Sequence, residues 1–437
     1  MNVTITPRRL AGSITPPPSK SQAHRLIIAA ALGEGESLLH NVACSQDIAA
    51  TIRCMAELGA GLERQGDTLR ITGMRAGPRS PLRRLAAPRL DCGESGSTLR
   101  FLMPVALAVR GGGRFTGRGR LMERPQEPYF ELFREKGISC EYQDGALVLS
   151  GRLAPGVCRL RGDVSSQFIT GLLYALPLLD GDSEIVITTA LESRDYVALT
   201  VDVLKRFGIE ATPSARGWRV PGGQAYRACE RTVEADWSQA AFWYAASGIG
   251  SDVEVTGMDL DSAQGDKMVL DWGRMLRGEP LNGGECVPIL GRTAPETPVR
   301  TEQAGGRSRV EIDVSCAPDL VPPMAAWGAL AGNTDLFLKN AARLRMKESD
   351  RLSAVTEVLT ALGARVTETA DSLTIFGREE LSGGVTVDSH NDHRIAMMAA
   401  IAATRCRRSV TIAGAECVAK SYPDFWKDYK SLGGDIT

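Results

Sequence analysis

Hydrophobic and polar positions follow one arrangement along the chain, and this arrangement recurs six times at intervals of about 70–80 residues. Each copy begins with a run of small apolar residues that leads through a turn into a β-branched segment. An amphipathic segment follows, ends at a glycine, and leads into another β-branched segment. Apolar runs of this length predict buried helices, and a period near 3.6 residues predicts half-buried ones. Each copy therefore predicts two helices, each followed by a strand.

The two parts of the repeat can be located by residue number. The apolar helices with their strands are predicted at 25–38, 101–115, 167–186, 239–256, 320–337 and 394–411. The amphipathic helices with their strands are predicted at 48–60, 129–138, 196–209, 350–364 and 425–435, and a weaker fourth copy ends near Gly278. Glycines that are typical of a helix C-terminus mark the period at Gly59, Gly137, Gly208, Gly363 and Gly433.

The six copies divide into two groups of three. A polar stretch at 222–236 separates the third copy from the fourth, and 437 residues exceed what one core usually serves. We therefore predict an α/β protein of two similar domains, each built from three α/β repeats with mixed sheets around buried helices. Residues 19–235 are predicted to form one domain, and residues 1–18 with 236–437 the other. Segment 273–309 breaks the pattern and is interpreted as an irregular insertion or a degenerate repeat without assigned chemistry.

Polar residues precede most of the predicted helices, as expected for N-caps. Capping alone accounts for Asp195 and Asp350. It does not account for the cations found there, because a helix N-terminus already carries partial positive charge. Of the nine lysines in the chain, four lie at these helix starts, namely Lys20, Lys267, Lys347 and Lys420. Cations beside helix N-termini predict a site for a strongly anionic, phosphorylated ligand.

Composition narrows the class of protein and of partner. The formal net charge of −1 gives no electrostatic case for binding nucleic acid or a membrane surface. The N-terminus has no apolar signal core, and no apolar run reaches membrane-spanning length. Ten cysteines without a CxxC pair predict reduced side chains in the cytoplasm. Four histidines without clustered ligand spacing predict that no metal is used.

Several motifs at the helix starts carry a specific resemblance. They are Ser19-Lys20-Ser21 with Arg25, the loop from Gly93 to Arg100, Glu123-Arg124-Pro125, Ser165-Ser166-Gln167, Pro318-Asp319, Lys347-Glu348-Ser349-Asp350-Arg351, Asp392-His393-Arg394 and Ala419-Lys420. In this order, over almost the whole chain, they resemble the enolpyruvyl transferases of the shikimate pathway, the 5-enolpyruvylshikimate-3-phosphate synthase family. The resemblance implies an enolpyruvyl transferase-like fold with the active site in the cleft between two domains, which close on substrate.

The resemblance also implies a reaction and its partners. The family transfers the enolpyruvyl group of phosphoenolpyruvate to the 5-hydroxyl of shikimate 3-phosphate, giving 5-enolpyruvylshikimate 3-phosphate and phosphate in aromatic amino-acid biosynthesis. No metal or organic cofactor is implied, and the partners are the two small-molecule substrates. We expect a cytoplasmic monomer that binds neither nucleic acid nor membrane.

Charge and the resemblance together assign the ligand contacts. Two phosphorylated carboxylates bring several negative charges into one site, and the planar fork of arginine matches such oxygens in pairs. By resemblance, the contacts to phosphoenolpyruvate are Lys20, Gly96, Arg124, Gln167, Arg351, Arg394 and Lys420. The contacts to shikimate 3-phosphate are Lys20, Ser21, Arg25, Ser165, Ser166, Gln167, Ser193, Tyr196, Asp319, Arg343 and Lys347.

The reaction needs one proton added to the methylene carbon of phosphoenolpyruvate and one removed from the attacking hydroxyl. Two carboxylates in different surroundings divide such work. The resemblance assigns the hydroxyl proton to Asp319 and the acid to Glu348, with Lys20 and Lys420 assisting. Because cationic neighbours would lower the pKa of Glu348, Lys20 is the alternative acid. His393 is interpreted as a structural hydrogen-bonding residue rather than a general base.

Three residues depart from the usual family pattern. Glu94 stands where this loop often has Asn, Phe101 where many relatives have Pro, and Arg343 where a shikimate-binding Asn is common. These differences bear on substrate affinity and on sensitivity to the family inhibitor glyphosate more than on the reaction itself.

Three other interpretations are open. UDP-N-acetylglucosamine enolpyruvyl transferases share the repeat but usually carry a loop cysteine before their Arg-Pro, and here no cysteine lies between Cys92 and Cys140. A phosphate-binding kinase is disfavoured because Gly111-Gly112-Gly113 lacks a following Gly-Lys-Ser/Thr. A non-catalytic protein that binds a phosphorylated metabolite is disfavoured by the presence of Asp319, Glu348 and Lys420.

Overall fold

The chain forms two units, one of which interrupts the other. The computed structural model describes residues 1–77, 80–280, 299–303 and 306–437. Pro18–Glu234 form one unit, called here the continuous unit. Met1–Pro17 and Ala235–Thr437 together form the other, called the discontinuous unit.

The helices and strands are numbered in chain order through both units. The helices are α1 (Lys20–Leu32), α2 (Gln46–Leu58), α3 (Gly96–Arg110), α4 (Glu127–Glu135), α5 (Ser166–Ala175), α6 (Arg194–Arg206), α7 (Trp237–Gly248), α8 (Val269–Arg277), α9 (Val321–Ala329), α10 (Arg351–Ala361), α11 (His393–Ala403) and α12 (Phe425–Ser431). The strands are β1 (Asn2–Thr6), β2 (Ala11–Ile14), β3 (Glu36–His40), β4 (Gly61–Gln65), β5 (Thr68–Thr72), β6 (Arg89–Asp91), β7 (Gly112–Thr116), β8 (Ser139–Gln143), β9 (Ala146–Ser150), β10 (Gly156–Leu160), β11 (Ser183–Ile187), β12 (Thr212–Ser214), β13 (Gly217–Val220), β14 (Glu230–Thr232), β15 (Asp252–Val255), β16 (Val299–Glu302), β17 (Ser308–Asp313), β18 (Thr334–Lys339), β19 (Arg365–Glu368), β20 (Leu373–Phe376), β21 (Leu381–Gly383), β22 (Thr386–Asp388), β23 (Cys406–Arg408), β24 (Val410–Ala413) and β25 (Asp435–Ile436).

The two helix types expected from the sequence are present in each repeat. The apolar helices are α1, α3, α5, α7, α9 and α11, and every residue of α9 and α11 is buried. Helices α7, α9 and α11 contact one another and form the core of the discontinuous unit. The amphipathic helices, such as α2, bury one face only. The longest helix among the described residues, α3, has 15 residues, and none of the described helices has the length and apolar content needed to cross a membrane.

The sheets repeat one topology, which confirms the α/β class with mixed sheets. In the continuous unit the strand orders are β14-β3-β5-β4, β6-β7-β9-β8 and β10-β11-β13-β12. In each order the first pair is parallel and the other two pairs are antiparallel. A parallel pair needs a crossover, and α3 and α5 supply it for the second and third sheets. The amphipathic helix then leads into the antiparallel hairpin.

The discontinuous unit uses the same topology with strands from both ends of the chain. Its larger sheets have the orders β16-β17-β18-β20-β19 and β22-β24-β1-β25, and two further pairs are β15-β2 and β21-β23. The N-terminal strand β1 lies antiparallel to β24, in the place that a hairpin strand takes in the other repeats. Strand β2, before the continuous unit, pairs in parallel with β15, after it. The continuous unit is therefore inserted between a strand and the helix that follows it in the repeat.

Two sequence-based expectations need correction. Segment 273–309 is interpreted above as an irregular insertion or a degenerate repeat, and its described residues contradict the first alternative, because α8 continues through Arg277 and ends at Gly278 in a left-handed conformation. Strands β16 and β17 form an antiparallel pair from Val299↔Glu311 to Glu302↔Ser308. Residues 281–298 and 304–305 of that segment lie outside the described residues. The second correction concerns Asp195, which lies in the first turn of α6, while Ser193 takes the N-cap position.

The glycines that end the amphipathic helices are required by backbone conformation. Gly59 ends α2 with φ of 122°, and its N–H donates to the carbonyls of Met55 and Ala56. A residue with a Cβ atom is strained at such a φ, so glycine allows the chain to leave the helix and enter β4 directly.

Candidate active site

Arg351 is the centre of a buried ionic cluster in the discontinuous unit. It is the first residue of α10, and its side chain pairs with carboxylates from three chain segments. Its Nε lies 2.7 Å from Asp392 Oδ2, its Nη1 2.9 Å from Asp319 Oδ1, and its Nη2 2.5 Å from Glu348 Oε2. Burial by itself would lower the pKa of Arg351, but Asp392, Glu348 and Asp319 outweigh burial and raise it above its usual range. The guanidinium is therefore held charged in a site that is only 1% exposed.

Asp319 lies among three cations. Besides Arg351, its carboxylate is 3.1 Å from Arg394 Nη2 and 3.4 Å from Lys347 Nζ. Arg394 Nη1 also donates to the Asp319 backbone carbonyl at 3.1 Å. Burial would raise the pKa of Asp319, but Arg394, Lys347 and Arg351 together hold it well below its usual range. The result is an ionised carboxylate whose charge depends on its cationic neighbours.

Lys347 faces the opposite balance. Burial lowers the pKa of Lys347 below its usual range, and the nearby Arg351 and Arg343 act in the same direction against Asp319 and Glu348. Arg343 is itself buried, and its Nη2 donates to the Ser315 carbonyl at 2.5 Å. A second anion placed near Lys347 and Arg343 would therefore relieve repulsion between cations.

Local capping explains how α10 and α11 present these side chains. Asp350 caps α10 by accepting from Ser353 N at 3.2 Å, which places Arg351 in the first turn. Asp392 caps α11 by accepting from Arg394 N at 3.0 Å, while it also pairs with Arg351. One aspartate thus fixes the start of a helix and the buried arginine beside it.

Lys420 and Arg394 have further fixed partners. Lys420 Nζ donates to the Asn391 carbonyl at 2.6 Å, and Asn391 adopts a left-handed conformation with φ of 52°. Arg394 Nη2 donates to Ser238 Oγ at 3.0 Å, at the start of α7. His393 is buried in the first turn of α11, with its Nδ1 4.0 Å from Asp392 Oδ1.

A second polar cluster lies at the start of α1 in the continuous unit. Lys20 Nζ lies 2.9 Å from Asp47 Oδ2, in the first turn of α2. Arg25 is buried, and it donates to Thr200 Oγ1 at 2.8 Å, to the Ser21 carbonyl at 2.7 Å and to the Tyr196 carbonyl at 2.9 Å. Burial lowers the pKa of Arg25 to about 10, so the side chain is charged at neutral pH.

Phe101, one of the residues that depart from the family pattern, packs against this cluster. Its ring lies under Arg25, with 5.2 Å between the guanidinium carbon and the ring centroid. A cation over an aromatic face is attracted to it, and the contact is stronger when it is shielded from water. Phe101 therefore helps to hold Arg25 in place.

The starts of α3 and α5 and the segment before α4 meet in a third group of contacts. Arg100 Nη1 donates to Gln167 Oε1 at 2.9 Å, so the Gln167 amide nitrogen faces Ser97 Oγ at 3.0 Å. A Cβ atom on Gly96 would lie 2.9 Å from Arg124 Nη1. Glycine at 96 is therefore needed for the close approach of Arg124 to the first turn of α3.

The start of α5 carries the serines expected to bind phosphate. Ser165 caps the helix by accepting from Gln167 N at 3.3 Å, and Ser166 is buried in the first turn. Ser193 precedes α6 with φ of 50° and is also buried. Short hydroxyl donors beside a helix N-terminus whose cap residue is uncharged suit an anionic ligand.

The expected site residues thus separate by unit. The continuous unit holds Lys20, Ser21, Arg25, Gly96, Arg124, Ser165, Ser166, Gln167, Ser193 and Tyr196, and the discontinuous unit holds Asp319, Arg343, Lys347, Glu348, Arg351, Arg394 and Lys420. Sequence reasoning missed the supporting partners Asp47, Arg100 and Asp392. Asp392 had a signal, because it lies within the Asp392-His393-Arg394 motif, two residues before the expected site residue Arg394. Arg100 had none beyond its place at the end of the Gly93 loop.

Metal ligands do not form a cluster in the described ranges. No group of three or more His, Cys, Asp or Glu side chains there is arranged to hold a metal ion.

Known proteins match this chain over its whole length. The family described as EPSP synthase (3-phosphoshikimate 1-carboxyvinyltransferase) matches residues 5–429. A Clostridium beijerinckii protein named 3-phosphoshikimate 1-carboxyvinyltransferase is 44% identical, over 99% of this chain and 98% of its own. The protein of that name from Clostridioides difficile is 43% identical, over 100% and 98% of the two chains.

Solved structures share the fold at lower identity. EPSP synthase from Acinetobacter baumannii superposes with a TM-score of 0.74 at 24% identity, over 100% of this chain and 99% of that one. The enolpyruvyl transferase NikO from Streptomyces tendae gives 0.72 at 18% identity, over 100% and 98%. With the family match over nearly the whole chain and relatives above 40% identity, the chain belongs to the EPSP synthase family.

Proposed function

We propose that this enzyme transfers the enolpyruvyl group of phosphoenolpyruvate to the 5-hydroxyl of shikimate 3-phosphate and releases phosphate. The observation that carries the chemistry is the arrangement around Arg351, where Asp319 and Glu348 pair with different nitrogens of one guanidinium. Two carboxylates beside one anion-binding cation suit a reaction that adds one proton to an anionic substrate and removes another from its partner.

Phosphoenolpyruvate is assigned to the cations and donors that match its phosphate and carboxylate. These are Lys20, Gly96, Arg124 and Gln167 in the continuous unit, and Arg351, Arg394 and Lys420 in the discontinuous unit. The approach of Arg124 to Gly96 supports this assignment, because it puts a guanidinium beside the N–H groups of a helix start.

Shikimate 3-phosphate is assigned to the start of α5 and its surroundings. Ser165, Ser166 and Gln167 offer hydroxyl, amide and backbone donors to the phosphate. Further contacts are Lys20, Ser21, Arg25, Ser193, Tyr196, Asp319, Arg343 and Lys347. Tyr196, Asp319, Arg343 and Lys347 include the groups suited to the hydroxyls of the shikimate ring. The direct contacts of Arg25 with the backbone of Ser21 and Tyr196 support a shared pocket for these residues.

The chemistry is an addition followed by an elimination. Asp319 accepts the proton of the 5-hydroxyl as its oxygen bonds to C2 of phosphoenolpyruvate, and Glu348 donates a proton to the C3 methylene. The carbon–oxygen bond to phosphate then breaks, Glu348 takes a proton back from C3, and Asp319 returns its proton to the leaving phosphate. Lys20 and Lys420 balance the negative charge that gathers on the reacting groups.

The paired state of Arg351 implies that substrate changes the acidity of both carboxylates. All three nitrogens of Arg351 pair with carboxylates, and a substrate anion that displaces one of these carboxylates takes over its contact with the guanidinium. Each cationic contact transferred to substrate raises the pKa of the carboxylate that loses it. Asp319 would then become a stronger base, and Glu348 would be able to hold the proton that it donates.

The test is phosphate release from phosphoenolpyruvate with and without shikimate 3-phosphate. Release that depends on shikimate 3-phosphate and does not occur with UDP-N-acetylglucosamine is the expected result. Asp319→Asn and Glu348→Gln keep size and hydrogen bonding, and each should lower kcat by about 10²–10⁴-fold because proton transfer is lost. Glu348→Gln should also slow deuterium entry from solvent at the methylene of phosphoenolpyruvate.

Two results would contradict the assignment. Equal phosphate release with and without shikimate 3-phosphate would refute the proposed acceptor. Deuterium entry at the wild-type rate in Glu348→Gln would exclude Glu348 as the acid, and Lys20→Met would then be the variant to examine. Ser166→Ala is the companion variant, because it should weaken shikimate 3-phosphate binding while much of kcat remains.

We also propose that the enzyme acts as a cytoplasmic monomer without nucleic-acid or membrane partners. The described cysteines are free thiols, as is usual in a reducing compartment. The exposed large hydrophobic side chains, such as Leu260 and Leu85, are scattered singly among the described residues. Light scattering during size exclusion should give a mass near 46.9 kDa, and twice that mass would refute the monomer.

A further inference from the structure

A buried hydrogen-bond chain connects α1, α2 and α3 in the continuous unit. His24 Nδ1 lies 2.7 Å from Thr51 Oγ1, and Thr51 Oγ1 lies 2.7 Å from Thr98 Oγ1. Thr98 Oγ1 then reaches Ser95 Oγ at 2.8 Å. His24, Thr51 and Thr98 are fully buried and Ser95 is 1% exposed. We call these four residues the His24 chain.

The protons of the His24 chain have one consistent direction. Thr98 Oγ1 donates to Ser95 Oγ, so its only proton is used there. Thr51 must then donate to Thr98, and because that uses the only proton of Thr51, His24 Nδ1 must donate to Thr51. His24 Nδ1 therefore carries a proton, and the chain depends on that donor.

The other ring nitrogen of His24 is bare. Nε2 is buried and has no hydrogen-bond partner among the described residues. Burial, together with Lys20 and Arg25, lowers the pKa of His24 well below its usual range, so the ring is neutral at pH 7. An unsatisfied buried nitrogen costs stability, and an apolar side chain of similar size would avoid that cost. The polar ring therefore calls for a functional reason.

The chain ends where the proposed phosphoenolpyruvate contacts begin. Ser95 is the N-cap of α3, and its Oγ also accepts from Thr98 N at 3.1 Å. The next two residues are Gly96, whose Cα is approached by Arg124, and Ser97, whose Oγ accepts from Gln167. Any change in the Ser95 cap would shift the first turn of α3 against Arg124 and Gln167.

We propose that His24 is a positioning residue for phosphoenolpyruvate, whose Nδ1–H holds the first turn of α3 in its binding geometry through Thr51, Thr98 and Ser95. The inference rests on the proposed function, because it assigns that turn to phosphoenolpyruvate. It concerns how the turn is held and adds no residue that touches the substrate.

Three substitutions of His24 separate the effect of losing the hydrogen-bond donor from the effect of changing the side-chain volume. His24→Asn places an amide nitrogen near the position of Nδ1, so it keeps the donor to Thr51. His24→Leu fills the space without a donor, and His24→Gln places its amide nearer to the position of Nε2. We expect KM for phosphoenolpyruvate, at saturating shikimate 3-phosphate, to rise about 3- to 10-fold in the Leu and Gln variants. The Asn variant should stay within about twofold of wild type, since one neutral hydrogen bond is retained.

A matched pair of threonine substitutions tests the path of the effect. Thr51→Val breaks the His24 chain and should raise KM for phosphoenolpyruvate as His24→Leu does. Thr170→Val removes a similar buried contact, from Thr170 Oγ1 to Thr200 Oγ1 at 2.9 Å, beside Arg25 instead. Thr170→Val should raise the dissociation constant of shikimate 3-phosphate and leave KM for phosphoenolpyruvate unchanged. If His24 had only a structural role, His24→Leu and Thr51→Val would change the constants for both substrates.

The wild-type enzyme supplies a test that does not depend on variants folding. The ¹⁵N shifts of the His24 ring, assigned by their loss in His24→Asn, should show a neutral ring with the proton on Nδ1 at pH 7. A proton on Nε2 alone, or a charged ring, would overturn the proposal. So would a wild-type KM in folded His24→Leu and Thr51→Val. Absence of shikimate 3-phosphate-dependent phosphate release in wild type would instead refute the proposed function, and the ring measurement would still stand.

Discussion

At the scale of single residues, the candidate site depends on the carboxylates that neutralise the charge of the buried Arg351. Arg351 is 1% exposed and Asp392 is fully buried, and their contact of 2.7 Å is shielded from water. Asp319 and Glu348 share the same guanidinium but are partly exposed. We therefore expect Asp392 to be the counter-ion that stays in place, and Asp319 and Glu348 to exchange partners when substrate binds.

Asp392→Asn should reveal this difference as a loss of stability. Asparagine still caps α11, so the substitution removes the charge and leaves Arg351 with one buried carboxylate fewer. Removal of one partner of a buried pair costs about 3–5 kcal/mol. Asp350→Asn is the matched control, since it also keeps a cap but loses a partly exposed pair with Arg345, worth about 0–1 kcal/mol. Thermal unfolding measures both, and equal midpoints for the two variants would contradict the special role of Asp392.

Asp319 should contribute stability that depends on pH. Its pKa in the folded enzyme lies well below the value of about 3.9 in an unfolded chain. Between those two values the unfolded state binds more protons, so the free energy of unfolding rises with pH. The contribution is complete above about pH 4 and is lost as pH falls through the folded pKa.

The corresponding measurement is the thermal midpoint of wild type and Asp319→Asn from pH 6 down to the acid limit of folding. The gap between the two should be constant near neutrality and should narrow below about pH 4, because only the wild type has the ion pairs of Asp319 to lose there. Asp144→Asn, at a side chain that is 94% exposed, is the control and should show no such narrowing. A gap that stays constant through the acid range would mean that Asp319 is not held ionised by its neighbours.

At the scale of elements, the caps of the apolar helices differ between the two units. Ser19, Ser95 and Ser165 cap α1, α3 and α5, so these helix starts keep their partial positive charge. Asp236 and Asp392 cap α7 and α11, where the charge is neutralised by a carboxylate. The same repeat thus gives helix N-termini that attract anions in the continuous unit. In the discontinuous unit, the aspartate-capped starts of α7 and α11 leave anion binding there to arginine and lysine side chains.

Ser165→Asp should turn one type of cap into the other. Aspartate is as good an N-cap as serine, so α5 should keep its stability. Its charge would repel the phosphate of shikimate 3-phosphate, and the dissociation constant should rise about 10- to 100-fold, the effect of roughly 1.4–2.8 kcal/mol. Ser165→Asn has the same size and capping ability without charge, so it isolates the electrostatic part. Calorimetry measures both variants, and equal dissociation constants for shikimate 3-phosphate would show that the charge of the cap does not affect binding.

The helices were predictable from the sequence, but the second strand of each hairpin, such as β5 or β9, and the pairing of the strands were not. Apolar and amphipathic periods, together with the helix-ending glycines, correctly predicted α1 to α12 because these signals are local. The placement of β1 beside β24 and of β2 beside β15 was not readable, because these strands are separated by more than 200 residues. The same limit applies to the site. The lysines and arginines at helix starts indicated an anion, whereas the pairing of Arg351 with Asp392 requires knowing that α10 and α11 start side by side.

At the scale of the whole molecule, the chain passes between units at two adjacent points. Ser19 N donates to the Glu234 carbonyl at 2.7 Å within the continuous unit. Asp236 N donates to the Pro17 carbonyl at 2.9 Å within the discontinuous unit. In each unit, a hydrogen bond therefore joins the two points at which the chain enters or leaves that unit. Chain ends that lie close together are typical of domains that tolerate insertion or excision.

Residues 18–234 should therefore fold as an isolated protein and bind one substrate without catalysis. This segment contains its own sheets and buried helices, and it includes the proposed contacts Ser21, Arg25, Ser165, Ser166 and Tyr196. It lacks the proposed contacts Asp319, Arg343 and Lys347. Because a hydrogen bond to a charged group is worth about 1.5–3 kcal/mol, the dissociation constant of shikimate 3-phosphate should be about 10- to 100-fold higher than in the full chain. Circular dichroism and calorimetry measure folding and binding, and Ser166→Ala in the same segment serves as the control that should reduce binding further. A segment that folds but binds no shikimate 3-phosphate, while the full chain does, would show that the phosphate contacts have been assigned to the wrong unit.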